Sequence, residues 1–238
     1  MAYWVLKVIL SPVLFVLYRV SVEGRGNLPK KGGVVLAANH QSFCDSFFLP
    51  LVLTRRVTFL AKAEYFDQAR TAWFFRAAGQ IPVRRDGGDA SDAALRTAVD
   101  VISAGRALAL YPEGTRSPDA SVHRGKTGAA RLAAETGCPV VPVGIVGTSG
   151  VQPIGCRVMR PFRRVGVRFG APMHLVAPID PETGRPVVDN ECLRVFTDRL
   201  MHEIARLSER PYVDQYVPRP APGPGSRGPR VTGPVPRS

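Results

Sequence analysis

The chain has 238 residues, of which 45% are hydrophobic, and this is enough for one globular domain with a packed core and short tails. Its 32 lysines and arginines against 19 acidic residues give a formal net charge of +13, which favours an anionic partner: nucleic acid, a membrane surface or a phosphorylated substrate. The four cysteines form no CxxC pair and fit no zinc-ligand spacing, so a cysteine-based zinc site is excluded and we predict no metal.

The N-terminal segment, residues 1–22, contains an apolar run from Val8 to Tyr18 that is too short for a bilayer span of about 20 residues. It has no basic leader and no Ala-x-Ala cleavage site, which argues against a signal peptide. Aromatic and basic residues bracket the run: Tyr3, Trp4, Lys7, Phe15, Tyr18 and Arg19. This arrangement favours a membrane-associating helix that lies at the interface, and a buried first helix is the alternative.

The segment from 23 to 212 alternates between short β-branched runs and helical stretches. Strands are predicted at 33–39, 57–62, 81–83, 107–111, 140–147 and 165–170. Helices are predicted near 45–53, 64–78, 89–104, 125–136 and 189–208. The alternation predicts an α/β domain with a central mixed, largely parallel sheet flanked by helices.

The end of the chain divides into a helix and a tail. Within 189–208, apolar residues recur at steps of three and four and form one stripe that is expected to pack against the sheet: Leu193, Phe196, Leu200, Ile204 and Leu207. Residues 213–238 are rich in proline, glycine and arginine, with no acidic residue after Asp214. We predict a disordered basic tail, with contact to anionic lipid or RNA as the alternative to a purely solvated one.

The segment NHQSFCD, residues 39–45, places a histidine five residues before an aspartate. On one continuous helix, side chains five residues apart point about 140° away from each other, so His40 and Asp45 could not meet. They can meet if His40 lies on the loop after a strand and Asp45 in the first turn of a helix, where Ser42 could supply the cap. The carboxylate would then orient one imidazole nitrogen and leave the other to take a proton from a hydroxyl. A loop that only closes a strand and caps a helix is the alternative.

A second polar segment, YPEGTRS at 111–117, follows the predicted strand that ends there. Gly114 allows the backbone to approach a ligand closely. Thr115 and Arg116 offer a hydroxyl, amides and a planar guanidinium, which together suit a phosphate. A surface turn with a solvated arginine is the alternative.

Two cations lie near the start of the helix predicted at 125–136. Arg124 and Lys126 are misplaced there against the helix dipole, and a bound anion would resolve the conflict because helix N-termini accept phosphates. The neighbouring His123 is expected to be an exposed loop residue, with a peripheral contact beside the proposed phosphate loop as the alternative.

Two further segments complete the pattern. In GQIPVRRDGG, a short strand ends in Arg84 and Arg85, of which alternation directs one inward and the other outward. CPVVPVGIVGT, at 138–148, carries no charged side chain and is expected to form a pocket wall or hold an acyl chain.

In this order, NHQSFCD, GQIPVRRD, YPEGTRS and CPVVPVGIVG resemble the four sequence blocks of the glycerolipid acyltransferases that include 1-acylglycerol-3-phosphate acyltransferase, with their HxxxxD motif. The resemblance extends from about residue 24 to residue 170. It implies that His40 is a general base and Asp45 its orienting carboxylate. It assigns the remaining site residues to substrate binding, with Arg85 as the phosphate ligand of the second block and Arg84 as its rival: Arg84, Arg85, Glu113, Gly114, Thr115, Arg116 and Lys126.

The resemblance implies transfer of a fatty acyl group from acyl-CoA or acyl-carrier protein to the free hydroxyl of 1-acylglycerol-3-phosphate, which gives phosphatidic acid. A thioester is already activated, so no cofactor is expected beyond this co-substrate. The expected partners are a lysophospholipid, an acyl thioester, an anionic membrane surface and an acyl-carrier protein, with no specific nucleic acid. We expect a peripheral or monotopic protein on the cytoplasmic face of the cell membrane.

Three alternatives remain open at this point. The protein could be an acyltransferase of the same family that uses glycerol-3-phosphate, another lysophospholipid or a glycolipid, because the shared motifs recognise only a phosphate and a hydroxyl. It could also be a non-catalytic binder of anionic lipid. A nucleic-acid binder is suggested by charge alone, and the arginines lack the interleaved aromatic residues of an RNA-stacking surface.

Overall fold

The structure is a computed structural model, which describes residues 2–62, 64–67, 72, 80–83, 88–177, 179 and 187–218. Among these residues the strands are β1 Ser21–Glu23, β2 Val34–Ala38, β3 Val57–Lys62, β4 Ile81–Val83, β5 Ala107–Leu110, β6 Val122–His123, β7 Val140–Val146, β8 Gly166–Phe169 and β9 Tyr212–Val213. The helices are α1 Ala2–Leu17, α2 Asp45–Val52, α3 Glu64–Asp67, α4 Gly88–Ser103, α5 Gly128–Thr136, α6 Thr148–Val151 and α7 Asn190–Ser208, with a 3-10 turn at Arg25–Asn27.

In the described part of the chain, the main sheet has the spatial order β1, β8, β7, β2, β5, β3, β4. Neighbouring strands are parallel except for the antiparallel pair β7 and β8. A separate parallel pair joins β6 to β9. The predicted α/β fold with a mixed, largely parallel central sheet is confirmed.

The core lies on both faces of the sheet, because helices cover each side. All five residues of β2 are buried, as expected for a central strand of a parallel sheet. Val35 and Ala37 pack in one cluster with α4, α5 and α7, whereas Val34 and Leu36 pack in another with α2 and Phe15 of α1. The alternation of side chains along one strand therefore builds two cores.

The predicted stripe on the last helix is buried against this sheet. Asp189 begins α7 as an N-cap, since its side chain accepts a hydrogen bond from the backbone N–H of Cys192 at 2.7 Å. The helix passes very close to β7 at Gly144, where a Cβ atom would lie 2.3 Å from the backbone carbon of Leu207. Only a glycine fits at this crossing.

The inner face of α1 packs against the domain. Tyr18, just after the helix, is buried, and its ring meets that of Phe48 edge to face with centroids 5.2 Å apart. Phe15 packs into the core as well. This face of α1 therefore contacts the domain, as the alternative of a buried first helix predicts.

The outer face of α1 is also apolar but exposed. Trp4, Val8, Val13 and Val16 all present apolar side chains to solvent. Within the described ranges, no helix has both the length and the apolar character needed to cross a bilayer. The association of this helix with a membrane stays a prediction.

Several predicted features lie partly outside the described residues. Of the helix predicted at 64–78, the structure gives α3 and residue 72, and Arg84 and Arg85 lie outside the described residues. The same is true of 219–238 in the predicted tail. The predicted division at 212/213 stays a prediction, although β9 lies across it.

Candidate active site

The site begins at the carboxyl end of β2, near the centre of the sheet, where ligands of parallel α/β sheets commonly bind. Asn39, the first residue after this strand, is buried and pairs with the backbone of Ile145 in β7. Its Nδ2 donates to the Ile145 carbonyl oxygen at 2.9 Å, and its Oδ1 accepts from the Ile145 N–H at 2.7 Å. The side chain thus continues the strand pairing by one residue and fixes where the next loop starts.

His40 and Asp45 are brought together by this loop. Nδ1 of His40 lies 2.9 Å from Oδ2 of Asp45, which is the first residue of α2 and fully buried. The same oxygen accepts backbone N–H bonds from Gln41 and Ser42, each at 2.8 Å. A carboxylate held by two amides at a helix N-terminus has a fixed orientation, and it fixes that of the imidazole.

The predicted cap by Ser42 is wrong. Cys44 occupies the N-cap position without a side-chain cap, and the Ser42 hydroxyl donates instead to the Gln152 carbonyl oxygen at 2.7 Å. The polar turn before α2 therefore serves to hold the Asp45 carboxylate and to anchor the loop on residue 152.

Tyr111 fixes the plane of the imidazole. Its ring stacks on that of His40 with centroids 3.8 Å apart and an angle of 8° between the planes. Its hydroxyl is hydrogen-bonded to that of Ser46 at 2.9 Å, and burial raises its pKa well above the ordinary value, so it stays a neutral phenol at physiological pH. Since Nδ1 faces Asp45, Nε2 is the nitrogen of His40 left for a substrate.

The 111–117 turn holds the backbone of His40 from both sides. Oε1 of Glu113 accepts the His40 N–H at 3.2 Å, and the N–H of Ser117 donates to the His40 carbonyl oxygen at 2.7 Å. The second oxygen of Glu113 accepts the N–H of His123 at 3.1 Å. The carboxyl group is 4% exposed, and this burial raises its pKa to about 7. Both oxygens contact the protein's own backbone, and a contact of Glu113 with substrate stays a prediction.

A second histidine–carboxylate pair lies behind the first. Nε2 of His123 lies 2.9 Å from Oδ1 of Asp119, an oxygen that also accepts from the Ser117 hydroxyl at 3.0 Å. The hydrogen bond from His123 lowers the pKa of Asp119 to about 2. His123 is 6% exposed, so the expectation of an exposed loop residue is wrong. Its place in β6, a strand of two residues, leaves no periodicity from which burial could be read.

These contacts close a ring, which we call the polar ring, with its members in bonded order: His40, Glu113, His123, Asp119 and Ser117. Each member is hydrogen-bonded to the next, and the last bond returns to the backbone of His40. A closed network of this kind restricts the position of every member.

The predicted phosphate-binding residues are placed beside this ring. Gly114 has the left-handed backbone φ of 74°, and a Cβ atom there would lie 3.1 Å from Nζ of Lys126. The N–H of Lys126 donates to the Pro112 carbonyl oxygen at 2.8 Å, which holds the lysine against the turn. Thr115 is half-buried and Arg116 is exposed. In the part of the chain that the structure describes, neither Arg116 nor Lys126 forms an ion pair, so both can accept an anion.

The helix predicted from residue 125 begins at Gly128, with Thr127 as its N-cap. Arg124 and Lys126 therefore precede the helix and do not lie within its first turn. Arg124 instead lies 3.6 Å from a carboxylate oxygen of Asp214 and over the ring of Tyr216, so Lys126 is the cation of this pair that adjoins the site.

The remaining predictions concern the other strands. β4 ends at Val83 and runs parallel to β3 and β5, so its carboxyl end lies at the same edge of the sheet as those of β2 and β5.

No group of three or more His, Cys, Asp or Glu side chains in the described ranges is arranged to hold a metal ion.

A family model described as Acyltransferase matches residues 19–146 of the chain. The chain belongs to the Acyltransferase family. The matched residues extend from the end of α1 through β7 and contain His40, Asp45 and the whole polar ring. The resemblance predicted from the four sequence blocks is confirmed.

Individual relatives agree with this assignment. The chain is 30% identical over 173 residues to the chloroplastic 1-acyl-sn-glycerol-3-phosphate acyltransferase LPAT1 of Arabidopsis thaliana. The aligned residues cover 72% of this chain and 48% of that protein. It is 29% identical to the human 1-acyl-sn-glycerol-3-phosphate acyltransferase alpha over 76% of this chain and 64% of that one. The chain thus spans about half the length of the first relative.

A solved structure has the same fold. The crystal structure of the 1-acyl-sn-glycerophosphate acyltransferase PlsC from Thermotoga maritima aligns with a TM-score of 0.60 and 28% identity, over 86% of this chain and 82% of that one. The likeness therefore extends beyond the matched family segment.

Proposed function

We propose that this protein transfers a fatty acyl group from acyl-CoA or acyl-carrier protein to the free hydroxyl of 1-acylglycerol-3-phosphate, giving phosphatidic acid. The observation that carries the proposal is the buried Asp45 carboxylate 2.9 Å from Nδ1 of His40, beside a turn that presents Gly114 and Lys126. The names of the relatives support the choice of acceptor.

The reaction follows from the orientation of the imidazole. Nε2 of His40 takes the proton of the acceptor hydroxyl while the oxygen attacks the thioester carbonyl, and the Asp45 carboxylate stabilises the imidazolium. The tetrahedral oxyanion collapses, the carbon–sulfur bond breaks, and the leaving thiolate takes the proton back from His40. Base catalysis of this kind contributes roughly 10²–10⁴ in rate, and alignment of the two substrates contributes as much again. No step requires a metal or a further cofactor.

Binding of the acceptor is assigned to the cations at the site. Arg116 and Lys126 hold the phosphate, with Arg85 or its neighbour Arg84 as the further ligand, and Thr115 and the backbone at Gly114 contact the glycerol. Glu113 contributes by holding the His40 backbone. The acceptor dissolves in a bilayer, so we place the protein on the cytoplasmic face of the cell membrane as a peripheral or monotopic protein.

The test is product analysis by mass spectrometry, with palmitoyl- and oleoyl-CoA or the matching carrier-protein thioesters and a panel of acceptors. Phosphatidic acid should form from 1-acylglycerol-3-phosphate, and His40→Ala should lower kcat by roughly 10²–10⁴ while lysolipid binding persists. If product forms only from glycerol-3-phosphate or only from another lysolipid, that molecule is the acceptor and 1-acylglycerol-3-phosphate is not. Lipid binding without turnover of any thioester would show a non-catalytic binder.

A further inference from the structure

The segment of residues 152–164, which we call the arginine loop, joins α6 to β8 and presents a mixed apolar and basic surface. Ile154, Val158 and Phe162 are exposed, the last two by 77% and 75% of their surface. The loop also carries four arginines and no acidic residue: Arg157, Arg160, Arg163 and Arg164. All four are exposed, and none forms an ion pair with any residue that the structure describes.

Hydrogen bonds fix the conformation of the loop at its base. The N–H of Arg160 donates to the Val151 carbonyl oxygen at 2.8 Å, and the Gln152 side chain donates to the carbonyl oxygen of Cys156 at 3.2 Å. Val151 and Val165, which flank the loop, are buried. The exposed apolar side chains are therefore held outward by a closed loop and do not belong to a loose segment.

Phe162 has a backbone conformation that residues with a side chain rarely adopt. Its φ is 58°, in the left-handed region, and its ring points away from the core. Backbone strain combined with an exposed aromatic ring is unfavourable in water, and such a pairing is typical of a contact site.

The arginine loop adjoins both α1 and the catalytic loop. The N–H of Val165 donates to the Tyr18 carbonyl oxygen at 3.1 Å, which connects the end of the loop to the end of α1 and its exposed apolar face. At the other end, the Ser42 hydroxyl donates to the Gln152 carbonyl oxygen at 2.7 Å. Ser42 in turn binds the Asp45 carboxylate through its N–H.

We propose that the arginine loop is a docking surface for an anionic phospholipid bilayer, with Ile154, Val158 and Phe162 in the acyl-chain layer and the four arginines on headgroup phosphates. The charge of the loop selects a negative partner, and its apolar side chains select one with a hydrocarbon layer. Nucleic acid would satisfy the arginines but not the three aliphatic and aromatic side chains. Docking here brings the loop of His40, which Ser42 connects to Gln152, close to the surface in which a lysolipid is dissolved. The inference goes beyond the proposed reaction, because docking requires no turnover.

The test uses the full chain with vesicles of phosphatidylcholine alone or mixed with phosphatidylglycerol, and measures binding by co-sedimentation. Arg160→Gln with Arg163→Gln should weaken binding to the mixed vesicles roughly 25-fold, since each interfacial arginine contributes about fivefold. Val158→Ser with Phe162→Ser should weaken it roughly tenfold or more. Matched controls on α7, which packs on the opposite face of the sheet from α2, are Val195→Ser and Arg199→Gln, both at exposed positions, and they should change binding less than twofold.

A conservative variant keeps the test valid if the double variants fail to fold. In a chain whose own tryptophans are replaced (Trp4→Phe and Trp73→Phe), the fluorescence of Phe162→Trp should shift to the blue when mixed vesicles are added, and that of Val195→Trp should not. No shift at residue 162, or equal binding of the arginine-loop variants and the native chain, would overturn the proposal. Equal binding to phosphatidylcholine alone would overturn the role of the arginines. If vesicles bind through the loop but no acyl transfer occurs, the proposed reaction fails and the docking surface stands.

Discussion

At the scale of single residues, the site depends on carboxyl groups that occupy different environments. Both are buried, but Asp45 receives two backbone N–H groups and an imidazole, whereas Glu113 receives two backbone N–H groups only. Burial raises the pKa of Glu113 to about 7, and the charge of Asp45 raises it further. The environment of Glu113, and not its side chain alone, thus sets its protonation.

The raised pKa of Glu113 makes folding stability depend on pH. Between its ordinary value of 4.5 and about 7, the folded state holds a proton that the unfolded state has lost, so the free energy of unfolding falls as pH rises through this window. Glu113→Gln removes the titration. The unfolding free energy of the native protein minus that of the variant should therefore decrease by up to about 3 kcal/mol as the pH rises from 4.5 to about 7.

Denaturant unfolding of both proteins at several pH values measures this difference. Glu203→Gln is a suitable control, because Arg206 lowers the pKa of Glu203 and the stability difference should then change in the opposite direction, at lower pH. If the unfolding free energies of Glu113→Gln and the native protein change in parallel with pH, the pKa of Glu113 is not raised in the folded protein.

At the scale of structural elements, the polar ring connects the loop after β2 to the turn after β5 and to β6. Except for His123 in β6, its members lie on loops without regular structure, and four of the five bonds use a side chain in place of strand pairing. The ring is what fixes the position of His40 on an irregular segment.

We expect His123→Ala to act on His40 through this ring. The variant leaves Asp119 without its imidazole partner and should lower kcat roughly tenfold while the KM values change little, because no substrate contact is lost. His123→Gln, which keeps a donor, should restore part of the rate. His202→Ala, at an exposed histidine of α7, is the control and should retain full activity. Equal activity of His123→Ala and the control would show that the ring does not position His40.

The crossing of β7 and α7 gives a prediction about stability. Gly144→Ala should destabilise the fold by about 1–3 kcal/mol, because its Cβ would lie 2.3 Å from the backbone of Leu207 and the helix must move. Gly128→Ala, where a Cβ meets nothing within 4 Å, is the matched control and should be neutral or stabilising. Thermal unfolding of the two variants measures the difference, and similar midpoints would mean that α7 does not cross β7 at this distance.

At the scale of the whole molecule, positive charge is the dominant property. The formal net charge of +13 remains after every acidic residue has been counted, and exposed arginines are concentrated beside exposed apolar side chains on the arginine loop. An excess of positive charge attracts the protein to a negatively charged surface over a Debye length of about 10 Å.

Binding to vesicles that contain phosphatidylglycerol should therefore weaken strongly as salt is added, whereas the apolar contribution should persist. Deleting residues 219–238 separates the contribution of the basic tail from that of the domain. The salt dependence should remain in the shortened chain, because the arginine loop is retained. If the binding of the shortened chain no longer responds to salt, the electrostatic attraction comes from the tail and not from the arginine loop.

The sequence by itself determined the α/β class, the family and six strands, whose predicted bounds of 33–39, 57–62, 81–83, 107–111, 140–147 and 165–170 agree with the structure to within one residue at each end. It could do so because burial on both faces of a parallel sheet demands continuous apolar runs, and because the four motif blocks keep their order along the chain. It also placed His40 and Asp45 within reach of each other, since a strand–loop–helix junction is readable from local spacing.

Only the tertiary structure decided the rest. The burial of His123, the turn of Tyr18 into the core and the short strands β1, β6 and β9 all depend on partners far away in the chain, such as Glu113 or β8. Strands of two or three residues carry no period, and a lone histidine carries no signal of its surroundings. Which side chains a fold buries is fixed by contacts between distant segments, and those exist only once the chain has folded.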